Sequence, residues 1–220
     1  MKSMILAAGR GERMRPLTDR TPKPLLRAGG KPLINYHIEA LVRAGIRDIV
    51  VNHAHLGAQI EAALGDGTDY GAHIVYSHEP DGALETGGGI HRALPLLGDG
   101  PFLVVNGDIW TDFDYATLPE DFAGLAYLVL VDNPEQHPGG DFCLREGRVI
   151  ECDGPRLTFS GIGLYRAALF ADSLPGKFPL APLLRTAMAR GEVAGTHYKG
   201  RWSDIGTPER LQALDRLLKG

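Results

Sequence analysis

The chain has 220 residues, of which 44% are hydrophobic and 23% are charged, a composition typical of a globular protein with one sizeable core. Its net charge of −4 argues against a nucleic-acid-binding protein, which normally carries a basic surface patch. No apolar run approaches the roughly 18 residues that a membrane-spanning helix requires, so neither nucleic acid nor a membrane is an expected partner.

The first half of the chain alternates short apolar strands with amphipathic helices. Strands are predicted at 4–8, 48–52, 73–76 and 102–105, and helices at 33–44, 56–64 and 87–97. The fourth strand is apolar throughout, which is typical of a parallel strand buried on both faces. This order predicts an α/β fold with a doubly wound, mostly parallel, Rossmann-like sheet that keeps ligands at the carboxyl ends of its strands.

The second half is less regular and predicts a smaller, β-rich acceptor-binding region. Strands are predicted at 125–131, 142–144, 148–150 and 159–165, a helix at 180–189, and a last helix from Thr207. Glu146-Gly147 is typical of a hairpin turn between the two shortest strands. Because no linker interrupts the chain, we expect one domain over 1–220, with a nucleotide-binding half to about 110 and a sugar-phosphate-binding half from about 111.

Two sequence features bear on the expected location of the protein. Met1-Lys2-Ser3 enters the first strand without a signal-peptide pattern, which favours the cytoplasm. Cys143 and Cys152 are the only cysteines, and they could face each other on neighbouring strands. Since cytoplasmic proteins keep their thiols reduced, we expect both to be reduced packing residues.

The segment 6–24, LAAGRGERMRPLTDRTPKP, combines glycines with several cations directly after a buried strand. Gly9 and Gly11 allow backbone N–H groups to approach an anion closely. Arg13 offers a forked donor that matches phosphate oxygens, and Lys23 offers a point charge between two prolines. The segment lacks both the G-x-x-x-x-G-K-[ST] phosphate loop and the third glycine of the dinucleotide fingerprint, yet it suits a polyphosphate.

The whole segment resembles the signature of the sugar-phosphate nucleotidyltransferases (NDP-sugar pyrophosphorylases), L-A-A-G-x-G-x-R-[ML]-x-P-L-T-x-x-x-P-K-P. The matching positions are Leu6, Ala7, Ala8, Gly9, Gly11, Arg13, Met14, Pro16, Leu17, Thr18, Pro22, Lys23 and Pro24. The resemblance implies that Arg13, Lys23 and Asp108 are catalytic. It also implies a nucleotide site of Leu6, Ala8, Gly9, Gly11, Glu12, Arg13, Lys23, Glu85, Thr86, Gly87, Gly88 and Asn106.

Two aspartates are candidates for binding Mg²⁺. Asp108 follows the strand 102–105, where an open α/β sheet keeps its ligands, and Asp204 lies just before the last helix. Each could instead be only a cap or turn former. Family members carry an acid in a [V/L]-x-[G/N]-D context and another in a W-x-D-[IV]-G-T-P context, and both bind Mg²⁺ beside the nucleotide phosphates. The resemblance therefore implies that Asp108 and Asp204 hold this cofactor.

The loop 79–89, EPDGALETGGG, ends in three successive glycines, an unusual start for a helix unless the backbone approaches another group closely. A flexible surface loop is the alternative. Family members carry a similar loop, often L-G-T-A-G, whose backbone contacts the nucleobase. Glu85 replaces the usual glycine, so its carboxylate could reach the base or the ribose.

The acceptor site has weaker signals, because the E-E-K-P string whose lysine binds the sugar phosphate in many relatives is absent here. Lys177, Lys199 and Arg201 are candidate replacements, with Arg201 favoured by its position three residues before Asp204. Asp141 and Ser160 could bind sugar hydroxyls, or could be ordinary turn or edge residues. A further pair, His53 and His55, has metal-ligand spacing but no third ligand, so ordinary loop histidines are preferred.

The reaction expected from the resemblance is Mg²⁺-dependent nucleotidyl transfer from a nucleoside triphosphate to a sugar 1-phosphate. The compact length and the L-E-T-G-G-G and V-N-G-D segments most resemble bacterial uridylyltransferases that act on N-acetylmuramate α-1-phosphate, which implies UTP as the donor. A mannose 1-phosphate guanylyltransferase and a non-catalytic regulatory subunit are the alternatives. The absence of a further C-terminal extension favours a monomer.

Overall fold

The computed structural model describes residues 1–80 and 83–220. The strands, in chain order, are β1 (Lys2–Leu6), β2 (Arg27–Ala28), β3 (Lys31–Pro32), β4 (Asp48–His53), β5 (His73–His78), β6 (Phe102–Asn106), β7 (Ile109–Thr111), β8 (Ala126–Val131), β9 (Cys143–Arg145), β10 (Arg148–Ile150), β11 (Thr158–Tyr165), β12 (Val193–Tyr198) and β13 (Trp202–Asp204). The α-helices are α1 (Leu33–Arg43), α2 (Gly57–Leu64), α3 (Glu85–Leu97), α4 (Ala181–Ala189) and α5 (Pro208–Lys219). Within the described ranges, no helix has the length and apolar character needed to span a membrane.

A nine-stranded sheet in the order β5-β4-β1-β6-β11-β8-β12-β10-β9 forms the centre of the molecule. The first four strands in this order are parallel, as the alternating strands and helices of the first half predicted. Strand β11 then runs antiparallel to both β6 and β8, and β12 runs parallel to β8. The predicted α/β fold is confirmed: four parallel strands form one side of the large sheet, and the remaining strands pair in both directions.

Alternate residues of the central strands face opposite layers of helices. On β1, Ile5 packs into the core beneath α1 and α2, while Met4 packs into the core beneath α3 and α4. Both side chains are fully buried, because successive residues of a strand point to opposite faces of the sheet. The two layers leave the carboxyl edge of β1 and β6 free for a ligand.

A third, smaller core joins the two ends of the chain. It contains Met14 from the N-terminal loop and Leu211 and Leu214 from α5. Asp215 accepts a hydrogen bond from Gly29 N at 2.9 Å, which fixes the C-terminal helix against the β2–β3 hairpin. Helix α5 therefore holds the segment just before it, with Asp204, next to the N-terminal loop.

Three structural features have no counterpart in the sequence prediction. Strand β12 has the mixed sequence VAGTHY, which lacks the apolar alternation of a strand, and it is inserted between β8 and β10. The hairpin β2–β3 and the pair β7–β13 form two small sheets of their own. In the second of these sheets Asp204 pairs with Ile109, a contact between distant parts of the chain that local patterns do not predict.

The prediction of two reduced cysteines is wrong: Cys143 and Cys152 form a disulfide. Cys143 begins β9 and Cys152 lies just beyond β10, so the predicted hairpin at Glu146-Gly147 brings them together. Their Cα atoms are 6.0 Å apart, within the range that a disulfide requires. The expectation relied on the assumed compartment, whereas the antiparallel register decides which residues are neighbours.

Candidate active site

The N-terminal loop is held in shape by its own backbone and by Thr18. Gly11 has a positive φ of 68°, and its carbonyl accepts hydrogen bonds from Met14 N and from Thr18 Oγ1, both at 2.8 Å. A methyl group on Gly11 would lie 2.9 Å from Thr18 Cγ2, so this glycine is needed by the fold. At Gly9, in contrast, a methyl group would meet no atom within 4 Å, so Gly9 borders open space.

Lys23 and Asp108 meet at the carboxyl end of β6. The Lys23 side chain is 9% exposed, and its Nζ donates to Asp108 Oδ2 at 2.7 Å. Gly107 brings this segment against the first strand, because its N–H donates to Leu6 O at 2.9 Å and a methyl group there would lie 2.6 Å from that oxygen. The fold thus places a buried cation and a carboxylate, 85 residues apart in sequence, at the predicted ligand edge.

A cavity of about 340 Å³ opens beside this pair and is called here the nucleotide cavity. Its size lies within the range of small-molecule sites. The predicted nucleotide residues that line it are Leu6, Ala8, Gly9, Gly11, Glu12, Arg13, Lys23, Glu85, Thr86 and Asn106. Asp108 lines it too, so the structure brings the predicted catalytic residues and most of the predicted nucleotide site together.

Gly87 and Gly88 do not line the nucleotide cavity and have packing partners instead. A methyl group on Gly88 would lie 2.1 Å from Gly176 O, and one on Gly87 would lie 2.5 Å from Phe178 Cδ2. Gly88 N donates to Phe178 O at 3.0 Å. These glycines let α3 pack closely on the segment 176–178, which gives a structural reason for the glycine run.

Glu85 begins α3 with a φ of 61°, a left-handed conformation that is strained for a residue with a side chain. Its carboxylate lines the nucleotide cavity and lies 3.8 Å from Lys177 Nζ. Lys177, predicted for the acceptor phosphate, is therefore placed beside Glu85 and lines neither cavity described here.

Sequence reasoning missed a buried pair, Asn52 and Glu79, in the wall of the nucleotide cavity. Asn52 Oδ1 accepts from Ala7 N at 2.7 Å, and its Nδ2 donates to Glu79 Oε1 at 2.6 Å. Glu79 Oε2 in turn accepts from Leu84 N at 2.7 Å. Polar residues at the ends of two neighbouring parallel strands were the available signal.

Of the predicted base loop, Asp81 and Gly82 lie outside the described residues.

A second cavity, of about 410 Å³, adjoins the first and is called here the acceptor cavity. The two cavities share Arg13, Asn106 and Asp108. The predicted residues Asp141, Ser160 and Asp204 line the acceptor cavity. Sequence reasoning did not select four further lining residues, which are Gln136, His137, Trp202 and Arg210. Two ligands, one in each cavity, would therefore meet at Arg13 and Asp108.

The two predicted sugar-binding side chains are already engaged with the protein. Asp141 Oδ2 accepts from Phe159 N at 2.8 Å, and its Oδ1 lies 3.1 Å from His137 Nε2. The Ser160 hydroxyl is buried in a β-bulge of β11, where it donates to Val129 O at 2.7 Å. Asp141 therefore keeps lone pairs for a ligand, whereas the hydroxyl of Ser160 stabilises the bulge.

Arg201, the favoured phosphate-binding cation, lines neither of the two cavities. It is exposed, and its backbone N–H donates to Asp112 Oδ1 at 2.8 Å. Lys199 is exposed as well and also lines neither cavity. The structure thus leaves the acceptor cavity without either of these two cations.

Asp204 reaches the site through β13, which pairs with β7, and Ile205 N donates to Asp108 O at 2.7 Å. Gln136 Nε2 donates to Asp204 Oδ1 at 2.6 Å, and Arg210 Nη1 binds Asp204 Oδ2. The backbone pairing explains why two aspartates from opposite halves of the sequence line one cavity.

The donor chemistry of Asp108 and Asp204 fits Mg²⁺. Both offer hard carboxylate oxygens to the acceptor cavity, and each carboxylate binds a side-chain cation, Lys23 or Arg210. Within 1–80 and 83–220 no group of three or more His, Cys, Asp or Glu side chains is placed to hold a metal. Two carboxylates are enough for Mg²⁺ where substrate phosphates and water complete its coordination. Of the two histidines expected in a loop, His53 is instead the last residue of β4 and is buried, whereas His55 lies in the turn that follows.

Comparison with known proteins assigns the chain to a family. A family model described as "Nucleotidyl transferase" matches residues 2–142, which include the N-terminal loop, Lys23 and Asp108. The chain belongs to the nucleotidyl transferase family. The expected enzyme class is thereby confirmed.

Two relatives of this nucleotidyl transferase are similar over nearly their whole length. One is an N-acetylmuramate alpha-1-phosphate uridylyltransferase from Neisseria meningitidis, 53% identical over 99% of this chain and 98% of the relative. The other has the same name, comes from Caulobacter vibrioides, and is 36% identical over 98% of this chain and 96% of its own. A solved structure from Bacillus anthracis, described as a glucose-1-phosphate thymidylyltransferase in complex with a sucrose, superposes with a TM-score of 0.89. It is 25% identical, with 100% of this chain and 95% of that chain covered.

One buried residue of the nucleotidyl transferase, His37, contacts the backbone next to Asp108 from the protein interior. His37 of α1 has Nε2 2.8 Å from Ile109 O and Nδ1 3.2 Å from Tyr115 Oη. Burial lowers its pKa to about 4, although the hydrogen bond with Ile109 and the charge of Asp108 act in the opposite direction. His37 is therefore neutral near pH 7 and fixes the residue that follows Asp108.

Proposed function

We propose that this protein transfers the uridylyl group of UTP to N-acetylmuramate α-1-phosphate, giving UDP-N-acetylmuramate and pyrophosphate. The observation that carries the proposal is the meeting of two cavities at Arg13 and Asp108, with Lys23 beside them. This arrangement suits two phosphorylated substrates that react with each other. The choice of substrates rests on the two full-length relatives that carry this name.

The N-terminal loop is proposed to bind the triphosphate. Gly9 and Gly11 line the nucleotide cavity, which is open at Gly9, so that backbone N–H groups of this loop can approach the phosphates without an intervening side chain. Arg13 lies between the cavities and neutralises the departing pyrophosphate. Asn52 and Glu79 fix Ala7 and Leu84, so the loop backbone is already ordered before the nucleotide binds.

The chemical step is an in-line displacement at the α-phosphorus. An oxygen of the sugar 1-phosphate forms the new P–O bond, the bond from the α-phosphorus to the bridging oxygen breaks, and its electron pair leaves with pyrophosphate. Lys23 is nearly buried, so its charge is poorly screened and stabilises the negative charge that accumulates on the phosphoryl oxygens. No covalent intermediate with the protein is required.

Asp108 and Asp204 are the residues that would hold Mg²⁺. When bound, Mg²⁺ would neutralise charge on the phosphate oxygens of both substrates. Because Lys23 contacts Asp108 from the buried side, it also fixes the orientation of this carboxylate.

Three further statements about domain organisation, assembly and location belong to this proposal. The chain acts as a single domain over 1–220, a view supported by one sheet in which β6 of the first half pairs with β11 of the second. It works as a monomer, and it works in the cytoplasm, where UTP and sugar phosphates are available.

The test is Mg²⁺-dependent pyrophosphate release across a matrix of nucleoside triphosphates and sugar 1-phosphates. Dominant release with UTP and N-acetylmuramate α-1-phosphate supports the proposal. Dominant release with GTP and mannose 1-phosphate would replace the substrates but keep the mechanism. Silence in every combination, with tight nucleotide binding, would favour a non-catalytic subunit. Lys23→Ala is the negative control, since it removes the central cation of the site.

A further inference from the structure

The acceptor cavity contains one cation that the sequence did not suggest. Arg210 lies in the first turn of α5 and lines the acceptor cavity, and its side chain is 24% exposed. Its guanidinium binds Asp204, whose other carboxylate oxygen accepts from Gln136. Both oxygens of this proposed metal ligand are thus occupied by side-chain donors.

Arg210 and Arg13 approach the same point beside Gly206. A methyl group on Gly206 would lie 3.0 Å from Arg210 Nη1, 3.2 Å from Arg13 Nη2 and 2.8 Å from Asp204 Oδ2. Two guanidinium groups therefore converge on one small space, with a single carboxylate between them. This space lies where the two cavities meet, because Gly206 lines the nucleotide cavity and Arg210 lines the acceptor cavity.

We infer that Arg210 binds the phosphate of the sugar 1-phosphate, and that Arg210 stays paired with Asp204 until a divalent cation replaces the guanidinium on that carboxylate. The inference deepens the proposed function and rests on it for the identity of the acceptor. A guanidinium presents paired donors that match phosphate oxygens, so Arg210 supplies what the missing E-E-K-P lysine would otherwise provide.

The competition follows from the contacts of Asp204. A carboxylate that coordinates a divalent cation has less negative charge to offer a guanidinium, so metal binding weakens the contact with Arg210. The freed guanidinium of Arg210 then remains beside Arg13, so that an anion can be bound by the two guanidinium groups together. By linkage, the acceptor phosphate and the metal each strengthen the binding of the other. Such coupling would favour metal binding before acceptor binding, and it would weaken acceptor binding when no metal is present.

The experiment measures acceptor binding in the absence of nucleotide, so that no turnover occurs. N-acetylmuramate α-1-phosphate and mannose 1-phosphate are titrated by calorimetry into the full-length wild type and variants, with and without Mg²⁺. Arg210→Gln removes the charge, and Arg210→Lys keeps it. Arg216→Gln is the matched control, because Arg216 lies exposed on the same helix and lines neither cavity.

We expect Arg210→Gln to weaken acceptor binding in Mg²⁺ by about 10- to 100-fold, the range of one charge-assisted hydrogen bond. Arg210→Lys recovers part of this loss, and Arg216→Gln binds like the wild type. Asp204→Asn releases the guanidinium, so this variant binds the acceptor more tightly than the wild type in metal-free buffer. An unchanged melting temperature and an unchanged affinity for UTP show that Arg210→Gln is folded.

Arg210→Gln binding within twofold of the wild type would overturn the inference, as would metal-free binding by Asp204→Asn no tighter than that of the wild type. Failure of the proposed function gives a different result. If mannose 1-phosphate binds through Arg210 and the other sugar phosphate does not, the inference is supported and the proposed acceptor is wrong. Pyrophosphate release from UTP by the wild type, together with unaltered binding by Arg210→Gln, would leave the proposed function intact.

Discussion

His37 provides a quantitative test of the buried support behind Asp108. His37 is 2% exposed, and burial lowers its pKa from 6.5 to about 4. His37 is therefore protonated at a higher pH in the unfolded chain than in the folded protein. Between these pKa values the unfolded state binds more protons, so stability is fully present above pH 6.5 and falls as the pH decreases towards 4.

The size of the effect follows from the two pKa values of His37. Lowering the pH from 7 to 5 should cost about 2 kcal/mol of unfolding free energy through His37 alone, rising to about 3 kcal/mol by pH 4. The cause is the transfer of a charged imidazolium into a buried site, where its two ring nitrogens lie beside Ile109 O and Tyr115 Oη.

The assay is urea unfolding of the wild type and of His37→Gln at pH 7 and pH 5. Glutamine keeps an amide that can donate to Ile109 O but does not titrate, so other ionisable groups contribute equally to both proteins. At pH 7 the variant should be less stable by about 1 kcal/mol, the typical contribution of one hydrogen bond. At pH 5 this difference should vanish or reverse. A difference that stays constant within about 0.5 kcal/mol would refute the assigned buried, neutral histidine.

Three other predictions concern the nucleotide cavity. Lys23→Ala and Asp108→Ala should each abolish measurable turnover, lowering kcat by at least about 100-fold while the circular dichroism spectrum is unchanged; near-normal turnover in either would contradict its role. Gly9→Ala should retain the wild-type melting temperature but bind UTP at least about tenfold more weakly, because its methyl group would enter the cavity. Gly11→Ala should lower the free energy of unfolding by about 1 kcal/mol, because Gly11, unlike Gly9, has a positive φ. Glu85→Gly should raise the free energy of unfolding in urea by about 1 kcal/mol, because it removes the strain of a non-glycine residue with a positive φ. The same variant should raise KM for UTP, and an unchanged KM would show that the carboxylate has no role in nucleotide binding.

Much of the nucleotide side was predictable because its signals are local. The loop 6–24 and the segment that ends in Asp108 each lie at the carboxyl end of a parallel strand, and parallel strands of one sheet share that edge. Once the βαβα order predicted the sheet, Lys23 and Asp108 were expected on the same side, and the structure joins them by a hydrogen bond. Helix α5 was predicted from its N-terminal signals, and Thr207 does cap it.

The acceptor side depended on contacts that local patterns do not encode. Arg201 was favoured because it is near Asp204 in sequence, yet β13 leaves its side chain outside the two cavities, and the helix that follows brings Arg210 into the acceptor cavity. Successive strand residues face opposite sides, whereas one turn of a helix returns a side chain towards the same point, so sequence distance is a poor guide to which cation reaches a site.

The sequence by itself determined the α/β class and the position of the glycine- and cation-rich loop 6–24, because strand periodicity, glycine and charge act over a few residues. The reaction expected of this loop followed from its resemblance to the nucleotidyltransferase signature. Only the tertiary structure decided which groups meet across long distances: the Asn52–Glu79 pair, the disulfide between Cys143 and Cys152, and the contact of Asp204 with Arg210. These contacts depend on strand register and on how helices pack on the sheet, and a shift of one residue in either would separate the groups involved.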